Sequence, residues 1–396
     1  MQNQLKSKTE LNRVDPLILA VDTSCDETSV AILQGRRVLS SVISSQVELH
    51  KKWGGVVPDI ARRAHQENLP LVYQEALKRA RVSIGDIDYV AVTYGPGLAI
   101  ALEVGVDFAK KLAYDNNKKF IPVNHMEGHM LSSFILNKAG KQYKDFKEEI
   151  KSQIRNPKSQ ILNPISNIQF PISNIFPFIS VLISGSHTDL VLVNKIGDYS
   201  LLGETLDDAA GECFDKVSRM LNLGYPGGPI ITYLAGKGDK KKADEFKLPV
   251  PMEKSGDLNF SYSGLKTACL YKIQKIRAEG RKESEWTSDF CLAFINSVSK
   301  SIQIKLKKAI EQNPEVKAIV LGGGVINNRY IVRDLVKCAK NMGLPCYFPE
   351  IKYRGDNAAM IGVAAYFELE QFNKFLEGEE ILKVDRVPGL GVENKL

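Results

Sequence analysis

Leu17-Ile-Leu-Ala-Val21, the polar turn Asp22-Thr-Ser-Cys-Asp-Glu-Thr28 and Ser29-Val-Ala-Ile-Leu33 form the stretch whose reading decides the fold. Two apolar runs joined by a short polar turn predict a β-hairpin. The plan recurs at Phe178-Ile-Ser-Val-Leu-Ile183, turn Ser184-Gly-Ser-His-Thr188, and Asp189-Leu-Val-Leu-Val193. The echo predicts two homologous halves, each opening with a hairpin whose turn faces a common cleft.

Outward from these hairpins, strands alternate with helices. Helical patterning covers Asp59 to Arg81 and Ala99 to Asn116, and the strand Tyr89–Thr93 between them ends in Gly95-Pro-Gly97. The second half continues with helices from about Asp207 to Asn222 and Trp286 to Glu311, and a strand Ala318–Leu321 running into Gly322-Gly-Gly324. This order argues an α/β architecture. Residues 1–16 read as a flexible lead-in, 17–136 as a first α/β lobe and 176–355 as a second. A last helix from about 356 is expected to pack back on the first lobe, and 373–396 read as a peripheral tail. Residues 137–175 carry a lysine run and a tandem Pro-Ile-Ser-Asn-Ile repeat, and read as an inserted mobile loop.

The 396 residues carry 53 basic and 46 acidic side chains, a net charge of +7 that permits an anionic partner. No apolar run nears the ~20 residues of a membrane span, and the N-terminus lacks an apolar signal region, so a cytoplasmic location with no membrane role is the expectation. The six cysteines are scattered without a CxxC pair, which excludes a disulfide scaffold and a cysteine-based zinc ribbon.

Four motifs can carry chemistry. In His125-Met-Glu-Gly-His129 the i,i+4 spacing puts both imidazoles on one helical face, where one metal can bridge them; two structural histidines are the alternative. Asp356, just before a helix rich in small residues, reads as an N-cap or as the carboxylate completing a 2-His-1-carboxylate site. Gly322–Gly324, Tyr225-Pro-Gly-Gly228-Pro229 and Ser184–Thr188 are glycine turns that offer backbone amides to a ligand. Asp208, Glu212 and Asp215 form an acidic stripe on the predicted helix, a solvated face or a grip for a hydroxyl-rich ligand.

Taken in order, VDTSCDETSVAIL, YGPGLAIALEVG, NHMEGHMLS, LISGSHTDL, GETLDDAAGECFDK, YPGGP, FSYSGLKT, GGGVINNR and GDNAAMIG resemble the universal tRNA threonylcarbamoyladenosine transferases of bacterial type. The resemblance runs from about Leu17 to about Glu370 and omits chiefly 137–175. It implies the actin/Hsp70/sugar-kinase-like (ASKHA) fold, two duplicated α/β lobes about a central cleft. It implies transfer of a threonylcarbamoyl group from threonylcarbamoyl-AMP to N6 of adenosine 37 in tRNAs that read codons beginning with A. One divalent ion per subunit is implied on His125, His129 and Asp356, Fe2+ first and Zn2+ as the alternative. Leu182, Ile183, Ser184, Gly185, Ser186, Asp215, Gly228 and Asn328 fall on substrate-contacting positions. Asp26 and Glu27, in the first-lobe turn, and His187, in the second, are the candidate catalytic residues. A heterodimer with an inactive, TsaB-like paralogue and a separate P-loop, TsaE-like ATPase is implied as well.

Three departures from the family pattern stand out. Ser186 replaces a glycine, which brings strain if its φ is positive. Asn124 replaces a frequent histidine and is expected outside the metal's reach, and Thr232 replaces an acidic residue, which puts a ribose contact there in doubt. Rival readings are an ATPase or phosphotransferase of the same fold, a catalytically dead paralogue and, more distantly, a metalloprotease. The histidine pair argues against the first, because Mg2+ sites prefer carboxylates and water.

Overall fold

The computed structural model describes residues 15–142 and 172–393. The first sheet is built from β1 (Leu17–Asp22), β2 (Glu27–Gln34), β3 (Arg37–Ser45), β4 (Tyr89–Gly95) and β5 (Lys119–Asn124), in the order β3-β2-β1-β4-β5. The second is built from β6 (Phe178–Ile183), β7 (Thr188–Lys195), β8 (Asp198–Gly203), β9 (Ala318–Gly322) and β10 (Cys346–Tyr347), in the order β10-β9-β6-β7-β8. Each sheet pairs its first three strands antiparallel and its last two parallel to the founding strand. The hairpin echo is thus the visible part of a duplication of the whole five-strand plan.

Alternation along the strands distributes the core. Leu19 and Val21 of β1 meet α1 (Pro58–Ala80) and α2 (Ala99–Asp115) on the outer face of the first sheet. Ile179, Val181 and Ile183 of β6 do the same on the outer face of the second. That layer holds α4 (Ala210–Met220), α5 (Gly227–Ala235), α6 (Ser263–Ala278), α7 (Thr287–Gln312) and α8 (Arg329–Asn341). The opposite set, Ile18 and Ala20 with Phe178 and Leu182, joins both sheets in a shared core.

Two helices lie in that shared core, α3 (His125–Leu131) and α9 (Ala358–Phe372). They meet at a glycine, because a Cβ on Gly128 would stand 2.9 Å from Ile361 Cδ1. A Cβ on Gly362 would stand 2.2 Å from Leu33, so α9 lies equally close on β2. At both glycines a neighbour's side chain packs directly on the glycine backbone, which sets the helix carrying the two histidines close against the helix that follows Asp356.

Three segments bear on the expected boundaries. The segment after Phe372 is mostly exposed and hydrogen-bonded to both lobes: Leu376 exchanges backbone hydrogen bonds with Phe120, Val387 N donates to Tyr94 O at 2.7 Å, and Leu201 N in the second lobe donates to Glu393. The helix expected from Asp207 starts only at Ala210, because Asp207 accepts from Ser261, Tyr262 and Ser263 and holds the chain in a turn. Most of the segment 137–175 lies outside the described residues; its described ends are anchored, Arg37 Nε donating to Lys138 O at 2.9 Å and Ile175 being buried. Among the described residues no helix is long and apolar enough to cross a membrane.

Candidate metal and acyl-adenylate site

Why does Asp356 meet the histidines instead of capping its helix? Asn357 takes the cap, its side chain accepting from Met360 N at 3.1 Å, and Asp356 is left free to turn inward. Asn124 caps α3 in the same manner, its Oδ1 accepting from Met126 N at 2.8 Å while its Nδ2 donates to Gly391 O at 3.0 Å. His125 and His129, one turn apart, then both direct Nε2 at Asp356 Oδ1, at 3.6 and 3.1 Å.

The three residues each offer one ligand atom, and these atoms lie within 4.8 Å of one another. Ligands ~2.1 Å from one ion stand roughly 3.0–3.4 Å apart in octahedral or tetrahedral geometry, and the two histidine–carboxylate spacings of 3.1 and 3.6 Å lie close to that range. His125 and His129 are 6% and 1% exposed, and the Nδ1 atom of each lacks a hydrogen-bond partner. Asp22 Oδ1 stands 3.8 Å from His125 Nδ1, placed to hold the imidazole with Nε2 toward the site. Sequence reasoning passed over Asp22; its signal was its position in the same turn as Asp26 and Glu27.

The charges agree with this geometry. Burial raises the Asp356 carboxyl, but His125 and His129 outweigh it and hold the group well below its ordinary range. Burial lowers His125, and the carboxylates of Asp356 and Asp22 more than reverse that, to about 10. His187 is pushed down to about 4, first by burial and then by the neighbouring His125 and His129. Glu27 is raised well above the usual carboxylate range by burial, Asp26 and Asp356.

The remaining candidates divide into groups. Leu182 and Ile183 are core side chains, 1% and 0% exposed. Beyond them, Ser184 Oγ accepts from Ser186 N and His187 N, while Gly185 and Ser186 are exposed. Ser186 has no positive φ, so the glycine replacement costs no backbone strain. Asp215 accepts from Gly227 N at 2.6 Å at the start of α5, and burial raises its carboxyl. A Cβ on the next residue, Gly228, would meet nothing within 4 Å. Asn328 caps α8 through Oδ1 and donates Nδ2 to Thr232 Oγ1 at 3.0 Å; Thr232 in turn donates to Gly228 O. Thr232 therefore ties the Gly228 turn to the Asn328 loop.

Two readings are corrected. The acidic stripe is not a solvated face: Asp208 lies before the helix and binds Lys216 and Lys266 at 2.6 and 2.7 Å, and Glu212 binds Lys216 at 2.7 Å. Only Asp215 of the three is left outside these ion pairs. Gly322 and Gly323 serve the protein's own backbone, since a Cβ on Gly322 would stand 2.7 Å from His129 O and one on Gly323 2.4 Å from Ile183 O, whereas one on Gly324 would meet only Gly355 Cα at 4.0 Å.

Two sheets of identical order, sharing a core, with a His-His-Asp group, define an ASKHA-type α/β protein able to hold a divalent metal. The fold agrees with two solved structures: HypF from T. kodakarensis (TM-score 0.55, 13% identity, 90% of this chain and 48% of that one) and full-length HypF in the phosphate- and nucleotide-bound form (TM-score 0.52, 13%, 91% and 56%). The family model TsaD, tRNA N6-adenosine threonylcarbamoyltransferase, matches residues 37–143 and 164–363. The chain belongs to this family. It is 39% identical to the tRNA N6-adenosine threonylcarbamoyltransferase of Thermosipho melanesiensis, over 95% of this chain and 100% of that protein. It is 40% identical to the enzyme of the same name from Clostridioides difficile, over 96% and 99%. The family match skips only 144–163 within the expected insertion, so the flanks of that segment belong to the common plan.

Proposed function

We propose that this enzyme transfers the threonylcarbamoyl group of threonylcarbamoyl-AMP to N6 of adenosine 37 in tRNAs reading codons that begin with A, forming t6A and releasing AMP. The observation that carries the reading is the convergence of His125, His129 and Asp356 within a chain that matches the transferase family over most of its length. An inactive paralogue would have no need of that triad. A phosphotransferase would hold Mg2+ with oxygen ligands rather than two imidazoles.

His125, His129 and Asp356 would hold one divalent ion; the mixed imidazole and carboxylate donor set favours Fe2+, with Zn2+ second. Such an ion supplies Lewis acidity that polarises a carbonyl oxygen and makes its carbon more electrophilic. The acceptor needs this help, because the lone pair of the adenine amine is delocalised into the ring. Asp22 keeps His125 oriented. Ser184 N and Ser186 N already donate to His187 O and Ser184 Oγ, so Gly185 N and the amide of Gly228 in α5 are the donors for the adenylate phosphate, and Asp215 secures the second turn through Gly227 N. Asn328 and Thr232 brace the same turn from the other side.

Attack by N6 releases a proton and breaks the acyl–phosphate bond, so a base must lie nearby. Among the tentative residues Glu27 is the candidate base: burial and the neighbouring Asp26 raise its affinity for a proton above that of an ordinary carboxylate. His187 holds a proton too weakly and serves instead to shape the turn through Ser186. The family resemblance supports work beside an inactive TsaB-like paralogue and a TsaE-like ATPase. Incubating purified protein with those subunits, ATP, tRNA and threonylcarbamoyl-AMP, then analysing nucleosides by mass spectrometry, tests the assignment. Absence of t6A in the complete mixture would overturn it.

A further inference from the structure

We infer that Trp53 and the basic loop around it form a base-stacking subsite at the rim of the cleft, taking an unpaired nucleotide next to the adenosine being modified. This rests on the reading above that tRNA is the acceptor.

The loop between β3 and α1 is held at both ends. Gln46 N donates to the carbonyl of Asp26, in the turn that faces the cleft, at 2.9 Å. His50 is fully buried; its Nδ1 accepts from Val57 N at 3.2 Å, and its Nε2 donates to Gln46 Oε1 at 3.1 Å. Gly54 adopts φ +67°, and its carbonyl accepts from Arg219 of α4. Arg219 lies one helical turn beyond Asp215, so the loop joins the first lobe to the helix that carries a candidate adenylate contact.

On this anchored loop Trp53 is 59% exposed, whereas the chain's other tryptophan, Trp286, is 1% exposed. Lys52 Nζ lies 5.3 Å from the indole centroid, over one face. Lys51, Lys52, Arg62 and Arg63 are exposed here against Glu48 and Asp59, and among the described residues neither arginine forms an ion pair. An exposed indole among cations matches single-stranded RNA, which offers a π-face on every base and a charge on every phosphate. An adenine delivers N6 into a cleft only after leaving its stack, which exposes the neighbouring base. Trp53 is carried on the loop that Gln46 ties to Asp26 and Arg219 ties to α4, which makes it the exposed aromatic assigned to that neighbour.

The test uses the full chain and an anticodon stem-loop RNA. Bound RNA should protect Trp53 from acrylamide quenching, a readout on wild-type protein that needs no variant. Trp53→Ala should weaken RNA binding about tenfold or more, Trp53→Phe should retain most of it, and binding of an adenylate analogue should be unchanged. Lys51→Ala with Lys52→Ala should lower the log–log salt slope by about 0.7 for each lost contact. Unchanged RNA affinity in Trp53→Ala, or undiminished quenching in the saturated complex, would overturn the subsite while leaving the acceptor reading intact. Protection by a copurified protein but not by RNA would overturn it in favour of a protein interface. Wild-type protein that binds no tRNA even at low salt would sink the acceptor reading itself, and the subsite with it.

Discussion

His129 Nε2 lies 3.1 Å from Asp356 Oδ1, although the two residues are 227 positions apart. His129 lies on one of the two helices in the core shared by both sheets and Asp356 just before the other, and Gly128 lets those helices touch. The site is therefore a consequence of how α3 packs on α9. A metal there should depend on both partners. Purified His129→Ala and Asp356→Ala should each lose bound metal by elemental mass spectrometry, and unchanged content in both would refute a shared ion.

Asn357 and Asp356 are adjacent and should separate cleanly. Asn357→Ala removes the cap of α9 and should cost about 1 kcal/mol of stability, read as a lower urea midpoint. Asp356→Asn leaves the cap in place and should act on metal content instead. Equal destabilisation with no effect of Asp356→Asn on metal would show that the roles are wrongly divided.

Gly227 and Gly228 make a second contrast. A Cβ at Gly227 would stand 2.5 Å from Phe214 O, whereas one at Gly228 meets open space. Gly228→Val should keep its Tm yet abolish calorimetric binding of a non-hydrolysable threonylcarbamoyl-adenylate analogue. Gly227→Val should fold poorly. If Gly228→Val binds the analogue like wild type, the turn is structural only.

Asp189, buried at 8% exposure, has its pKa raised to about 7 by burial and by Glu204. The folded chain thus keeps a proton that the unfolded chain has lost above pH ~4. Stability from this group is present at acid pH and falls as pH rises through about 7. Asp189→Asn should flatten that part of the profile and raise Tm at pH 8 by a few degrees. An Asp189→Asn profile parallel to wild type would contradict the assignment.

The family match passes over 144–163, so that stretch is not part of the common plan and should be excisable with a short linker. The melting temperature should stay within a few degrees of wild type by calorimetry. A large drop would show that the stretch supports the core.

Much of this protein is written locally. Leu17–Leu33 and Phe178–Val193 declare their hairpins because strand periodicity and polar turns are short-range signals, and the repetition already implied two lobes. The ordered motifs likewise marked His125, His129 and Asp356. The third strands β3 and β8 escaped notice because Arg37–Ser45 and Asp198–Gly203 are edge strands whose partly exposed faces carry mixed polar and apolar residues. Other features were decided only by tertiary packing. Whether Asp356 or Asn357 caps α9 depends on what each side chain meets, and nothing local distinguishes them. Whether Asp208 is solvated depends on Lys266, carried there by another helix. That the last segment crosses both lobes depends on carbonyls such as Tyr94 O being left free at a strand end. Sequence by itself determined the elements and the residue types the chemistry needs, because backbone preference and side-chain chemistry are properties of each residue. Tertiary structure decided which of those residues share one site, because that depends on contacts between elements far apart in the chain.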